Sequence, residues 1–485
     1  MKLSKIPSAT QSCRLGVAIL GAGLLDASLQ QARAVPSFAA QTGQPCQTCH
    51  IGALGPQLTP YGRNFKIKGY TLTGGTGPAS KIHLAAWLQT EFSSYQKDLP
   101  PAGITPDFAK NDNIFLNAVS LFYAGRITDN VGVFLQGTYD NVGKAFAQDN
   151  SEVRVVGAGT ALGHNVDYGF SFNNAPGWSD PYNSNYLWGY PFISNGVAPT
   201  PNASPILAGA VQDNSLGVVG YAWVDQHIYV DLGGYESQPP GYMKLFGEAY
   251  GPGSSTGIEP WASLTYAWFW GNNNAHLGGH YFDGRYNPTV DVRSSDGQFG
   301  HNSYEDFMIS NGYQYIGDDF INVFTVDGFY DYEHQKLDGS SSIINPNYSS
   351  SRAANRLSEF KEWATYYYQE TYGGTIAFDK IWGNRNDLLY NTGANDTTGS
   401  IKGSPNTTAW TFEADWVPFG KEDSFLHPFL NWKLGLQYTL YTQFNGSGRN
   451  YDGYGRNASD NNTLLLFLWT VFGRVPRRGV GAVGK

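Results

Sequence analysis

A chain of 485 residues in which 15% are charged and 15% aromatic, with 59 glycines, does not have the composition of a coiled coil, a basic nucleic-acid binder or an acidic disordered tail. Its mean hydropathy is -0.35, and no apolar run of about 18 residues follows the N-terminal segment, which excludes a helical membrane protein of the usual kind. A membrane β-barrel is compatible, because its strands alternate and average out as mildly polar.

Residues 1–34 read as an export signal. Lys2, Lys5 and Arg14 supply a basic start, Leu15 to Leu25 an apolar stretch, and Ala32-Arg33-Ala34 a cleavage site. Its removal leaves 27 Lys and Arg against 39 Asp and Glu, a net charge of -12. That balance disfavours nucleic acid as a partner and suits cations or basic redox proteins.

The next segment, 35–80, carries the sharpest signal. Its only cysteines form Cys46-Gln47-Thr48-Cys49-His50, the c-type haem attachment pattern, in which two thiols bond the vinyl groups of one macrocycle and the adjacent His reaches the iron. Zinc would need further ligands, and no second Cys pair exists. A thioredoxin-like pair would want a βαβ context, and a short-loop disulfide would leave His50 unexplained. One covalent haem c, held by Cys46 and Cys49 with His50 as proximal iron ligand, uses all three residues. Downstream, Thr59 is placed as an N-cap, Pro60 as the first helical residue and Gly69 as C′ of one short helix. Leu58, Tyr61, Phe65 and Tyr70 are candidates to pack on the ring. Arg63 is the leading candidate partner for a propionate, with Lys66 and Lys68 beside it. So short a segment cannot enclose a haem alone, so something else must cover it.

From 81 to 473 the chain reads as all-β: about sixteen strand-like segments separated by Gly, Asn, Ser, Pro and Asp clusters, an antiparallel outer-membrane barrel facing lipid. Val131, Val133, Leu135 and Tyr139 oppose Gln136, Thr138 and Asp140; Ile228, Val230 and Leu232 oppose His227 and Asp231. Trp268 and Trp270 sit at a strand end, as in an interfacial girdle. Asn274, His276, Gly278 and His280 fall on one face, which is assigned to the lumen. Trp410, Phe412, Ala414 and Trp416 oppose Thr411, Glu413 and Asp415, and Leu434, Leu436 and Tyr438 oppose Lys433, Gly435 and Gln437. The polar stretches 174–213, 284–303, 333–356 and 444–462 are expected as outside loops, and 474–485 as a tail.

This order of parts, with AVPSFAAQTGQPCQTCHIGALGPQLTPYGRNFKIKGYTL ahead of a long barrel-like region, resembles the fused monohaem cytochrome-porins of iron-oxidising bacteria, in particular the outer-membrane cytochromes c of acidophilic iron oxidisers. The resemblance implies an oxidoreductase of the outer membrane, in which extracellular Fe(II) gives an electron to the haem and a periplasmic c-type cytochrome or blue-copper protein receives it. A conduit for another donor and a diffusion porin with an incidental motif are the alternatives. A distal ligand is not obvious. His83, 33 residues from His50, is the leading candidate, and Met243 and Met308 are the only methionines after the signal.

Overall fold

The computed structural model describes residues 35–239, 242, 252–287, 300–338, 354–390, 397–421 and 430–473. The expected export signal 1–34, the tail 474–485 and Met243 lie outside them. After an N-terminal segment come β1 (Leu84–Tyr95), β2 (Asn113–Arg126), β3 (Val131–Asp140), β4 (Ala145–Gln148), β5 (Glu152–Ala161) and β6 (His164–Asn173). β7 (Ser215–Val224), β8 (Ile228–Ser237), β9 (Ser254–Ser255), β10 (Glu259–Trp270), β11 (Asn273–Asn287) and β12 (Asn302–Ile316) follow. The last are β13 (Asn322–Leu337), β14 (Ala354–Tyr368), β15 (Tyr372–Gly383), β16 (Thr407–Trp416), β17 (Leu430–Gln443) and β18 (Thr463–Phe472).

β4 and β9 are short additions against β3 and β11. The other sixteen form one antiparallel sheet that closes on itself, with β1 bonded to β2 on one side and to β18 on the other. Closure removes the unpaired edges that lipid would not tolerate.

The burial pattern is inverted relative to a soluble sandwich, because lipid lies outside. In β16, Trp410, Phe412 and Trp416 are exposed on the outer face while Thr411, Glu413 and Asp415 are buried inside. β11 likewise buries Asn274, His276 and His280 and exposes Leu277. An aromatic row follows the register around one rim: Trp270 lies near Tyr315, Tyr315 pairs with Phe324, Phe324 with Tyr366, and Tyr372 with Trp416, all exposed. Such a row is the interfacial girdle of an outer-membrane barrel.

An even strand number brings both ends of the sheet to one rim, where Ala86 pairs with Phe472 and Gly473 lies against Pro36. The same rim carries the short turns 127–130, 162–163, 225–227, 271–272, 317–321 and 369–371. Long connections, among them 96–112, 174–214 and 444–462, leave from the other rim.

Two expectations about these connections need correction. Segment 174–213 is not an outside loop. It folds into the barrel and crosses it, with Trp178, Tyr182, Tyr186, Trp188, Tyr190 and Phe192 all buried. Its polar residues mark internal turns rather than solvation: Asp180 accepts from the amides of Tyr182 and Ser184, and Asn185 accepts from the amide of Leu187 while donating to the Gly177 carbonyl. The segments 284–303 and 333–356 are also shorter than expected, since β11, β12, β13 and β14 extend into them.

One hydrophobic cluster runs across the lumen. It joins Ile51, Leu54, Phe65 and Tyr70 of the N-terminal segment to Trp178, Leu187 and Trp188 of the crossing loop, and to Trp87, Phe134, Phe329, Trp363 and Trp469 of the wall.

Candidate functional site

Residues 35–80 form a plug inside the barrel, built from helices α1 (Pro36–Thr42), α2 (Cys46–Cys49) and α3 (Pro60–Ile67). α2 is one turn, closed by the His50 amide bonding the Cys46 carbonyl at 3.0 Å. That turn presents two cysteines and His50 within one short stretch. The chain then loops back, with Ile51 N to Gln57 O and Thr59 N to Cys49 O both at 3.0 Å. α3 starts as the sequence predicts: the Thr59 hydroxyl accepts from Gly62 N at 3.2 Å, Pro60 is at its first position, and Gly69 follows its end at φ 61°. Gly62 is needed for a different reason. A Cβ there would strike the Cys49 carbonyl, so only glycine lets α3 pack directly on the motif.

The motif is partly buried. Burial pushes the Cys46 thiol up to about 11 and the Cys49 thiol up to about 12, and pushes the His50 imidazole down to about 4. All three nevertheless keep part of their surface accessible. The amide of Asn431, on β17, reaches both the Cys46 thiol and the Ala53 carbonyl, the latter at 3.0 Å. Buried Nδ1 of His50 has no hydrogen-bond partner. Two thiols on one helical turn with an imidazole directly after them are the donor set that a haem c requires.

Side chains tether the plug to the wall on every side. Ser37 donates to the Ala124 carbonyl at 2.6 Å, Gln57 to Asp327 at 2.6 Å and to Thr325 at 2.8 Å, and Tyr221 to the Ile67 carbonyl at 2.5 Å. Lys68 pairs with Asp167 at 2.6 Å. Lys66 donates to the Asp180 carbonyl and to Asn183, at 2.6 and 2.7 Å, with the Trp178 and Trp188 rings beside its ammonium. Both lysines are therefore engaged in docking. Arg63 differs. It donates to Gln314 through Nη2, while its buried Nε and Nη1 have no partner.

The structure does not bring His83 to the motif. Cys46 lies by Asn431, which is level with Val471 of β18 and, through it, with Trp87 of β1. His83 precedes Trp87 by four residues, so it lies roughly 13 Å nearer the rim along the strand. There its ring packs edge-on against Tyr123, 5.7 Å between centroids. It lines a rim cavity of about 790 Å³ with Gln41, Lys81 and Arg126. Closing a loop over 33 residues is feasible for a chain, but the strand start pins His83 to the wall. Met308 is buried on the inner face of β12, level with His280 and Asp331.

Sequence reading missed the wall residues that hold the plug. Arg154 and Glu152, both fully buried on β5, pair at 2.7 Å. Glu152 also accepts from the Tyr70 hydroxyl. Arg154 donates to the Lys66 carbonyl at the end of α3, at 3.1 Å, and to the Ser179 carbonyl of the crossing loop, at 3.2 Å. The available signal was alternation: Glu152 and Arg154 flank Val153, which places two charges on one strand face.

No protein-family model and no curated protein matches this chain. Similar solved structures include an anion-selective porin from Comamonas acidovorans, 12% identical with a TM-score of 0.42, over 80% of this chain and 98% of that one. OmpT of Vibrio cholerae in a trimer form is 11% identical at TM-score 0.40, over 80% and 98%. OmpF of Salmonella typhi is 12% identical at 0.41, over 80% and 97%. The barrel assignment rests on the closed ladder and its lipid-facing belt.

Proposed function

We propose that this porin-like outer-membrane barrel is a c-type cytochrome that takes electrons from extracellular Fe(II) and delivers them to a periplasmic carrier. The observation that carries the reading is the seat of Cys46-x-x-Cys49-His50: a plug inside a closed barrel, in the half nearer the rim where the short turns gather. Bound there, a haem c supplies a one-electron ferric/ferrous couple. Cys46 and Cys49 hold it covalently, and His50 ligates the iron. The wall and the crossing loop pack against the plug that carries the motif. The aromatic and aliphatic packing across the lumen argues against a diffusion porin with an incidental motif, because a diffusion pore needs a water-filled lumen. A filled lumen that passes an electron but not an ion leaves Fe(III) outside.

Haem staining of the denatured chain tests the cofactor, with a covalently stained band expected. Stopped-flow mixing of the purified protein with Fe(II) then tests the donor, with haem reduction expected. An unstained band defeats the cytochrome reading. A stained protein that Fe(II) does not reduce points to a conduit for another donor.

A further inference from the structure

On the inner face of β12, β13 and β14, carboxylates outnumber the cation beside them. The register puts Asp306 directly opposite Glu333, and Asp331, two residues from Glu333 on the same face, opposite Glu359. Asp306, Asp331 and Glu333 are each 0% exposed, in the half of the wall nearer the long connections. Asp306 faces both of the others, yet neither oxygen of Asp306 or of Asp331 has a hydrogen-bond partner. Glu333 is the satisfied member. It accepts from the Ile206 amide of the crossing loop at 2.5 Å and from Gln335. The crossing loop points a second group at the same place. Tyr186 is 7% exposed, with its ring 4.3 Å from that of Phe329 on β13, and its hydroxyl faces Asp331 without completing a bond.

The groups packed around these carboxylates do not supply the missing charge. Lys361 of β14 bonds Glu359 at 3.1 Å and Asp379 of β15 at 3.0 Å. Tyr304 of β12 and Tyr390 approach Glu333 with hydroxyls, which bring no positive charge. Adjacent carboxylates in a low-dielectric interior cannot all ionise, and a buried charge without a partner is neutralised instead. Either a cation or a proton therefore stands between Asp306 and its neighbours. Among the described residues, no three His, Cys, Asp or Glu side chains are arranged to hold a metal ion. A proton needs no cavity, and between two carboxyl oxygens it makes the hydrogen bond that each of them lacks.

We propose that Asp306, Asp331 and Glu333 form a proton-filled latch that pins the crossing loop to the wall and lets go as the pH rises. In the latched state Asp306 carries the proton and donates it to a neighbouring carboxylate. That leaves Glu333 free to receive Ile206 and Asp331 free to receive Tyr186. Loss of the proton to water sets negative charges side by side beneath both loop contacts, and their repulsion releases the segment around 186–206. The sign follows from linkage. The latched state binds protons that the open state gives up, so latching is complete in acid and is lost as pH rises. Each proton released favours opening by about tenfold per pH unit. The latch uses none of Cys46, Cys49 and His50, so it stands apart from the cytochrome reading.

The test uses the full-length protein between about pH 4 and about pH 9, with heat-modifiable migration on gels to verify the barrel. Proteinase K cleavage within 174–213 is located by mass spectrometry and normalised to the denatured chain at each pH. In the wild type it is expected to be slow in acid and then to rise about tenfold per pH unit as the proton is lost. Asp306→Asn puts a permanent amide donor where the proton was, and is expected to keep the loop protected across the whole range. Asp331→Asn repeats the test on the partner side should Asp306→Asn fail to assemble. Infrared spectra give a readout independent of the loop. Above about pH 6, where ordinary Asp and Glu are ionised, the wild type is expected to keep a protonated-carboxyl C=O band that loses intensity in Asp306→Asn. Wild-type cleavage indifferent to pH refutes the latch, as does absence of that band. A pH response that the assembled variants share with the wild type refutes it as well. None of these readouts needs a haem, so a chain that carries none defeats the cytochrome reading and leaves this test unchanged.

Discussion

The wall and the plug of this barrel are held by different physics. The wall is a ladder: every one of its sixteen long strands bonds two neighbours through the backbone, and its outer face needs only apolar side chains. The plug makes no strand with the wall. Individual side chains hold it, most of them reaching from a polar inner face to a carbonyl, as Arg154, Tyr221 and Asn431 do. A ladder tolerates the loss of any one side chain, whereas a tethered plug does not, so damage to the plug should leave the wall standing.

The largest expected effect separates the two completely. Replacing Cys46 and Cys49 by Ala should abolish covalent haem, read as loss of the stained band, while heat-modifiable migration of the barrel stays unchanged. A stained double variant would refute the attachment site.

Next in size is Arg154→Leu. It strands Glu152 in the interior and frees the end of α3 and the crossing loop together. Breaking a buried ion pair of this kind costs about 3–5 kcal/mol. The expected outcome is protease cleavage within 35–80 of a barrel that still migrates as folded. Resistance equal to wild type would show that the plug does not depend on this tether.

Lys66→Met should act in the same direction and less strongly. The Asp180 carbonyl and Asn183 lose their donor, a cost of about 1–3 kcal/mol, partly offset because burial already pulls the Lys66 ammonium down to about 7. Limited proteolysis in denaturant should rank it between wild type and Arg154→Leu.

The smallest effect is at the rim of the wall itself. The exposed Asp225 accepts from Asn165 N at 2.9 Å and bonds His164 at 2.5 Å. The His164 contact first, then the Asn165 amide, holds its carboxyl below the ordinary 3.8. A depressed carboxylate stabilises above its unfolded value and loses that contribution as pH falls through the folded one. Hydrogen exchange at Asn165 should therefore quicken only below pH 3.8 in the wild type, and at all pH values in Asp225→Ala, with plug protection unaffected in both.

Much of the wall was legible in the sequence because a strand in lipid declares itself locally. Trp410 to Trp416 assign their own faces by a period of two, and His276 and His280 were placed in the lumen by the same rule. The helix at 60–67 was equally readable, since Thr59, Pro60 and Gly69 act on their own backbone. The crossing loop was not. Its Asn, Ser and Asp residues have the composition of a solvated loop, and nothing local says that they satisfy one another inside a barrel.

The sequence by itself determined the chemistry that can occur at Cys46, Cys49 and His50, the strand faces and the caps, because each depends on neighbours within a few positions along the chain. Only the tertiary structure decided where the plug sits, that 174–213 crosses the lumen, that His83 stays at the rim, and that Arg63 and His276 both lie against Tyr182. These depend on contacts between residues hundreds of positions apart, such as Gln57 with Asp327 or Asn431 with Ala53, and such pairings exist only once sixteen strands have closed and forced every inward side chain to find a partner in one shared interior.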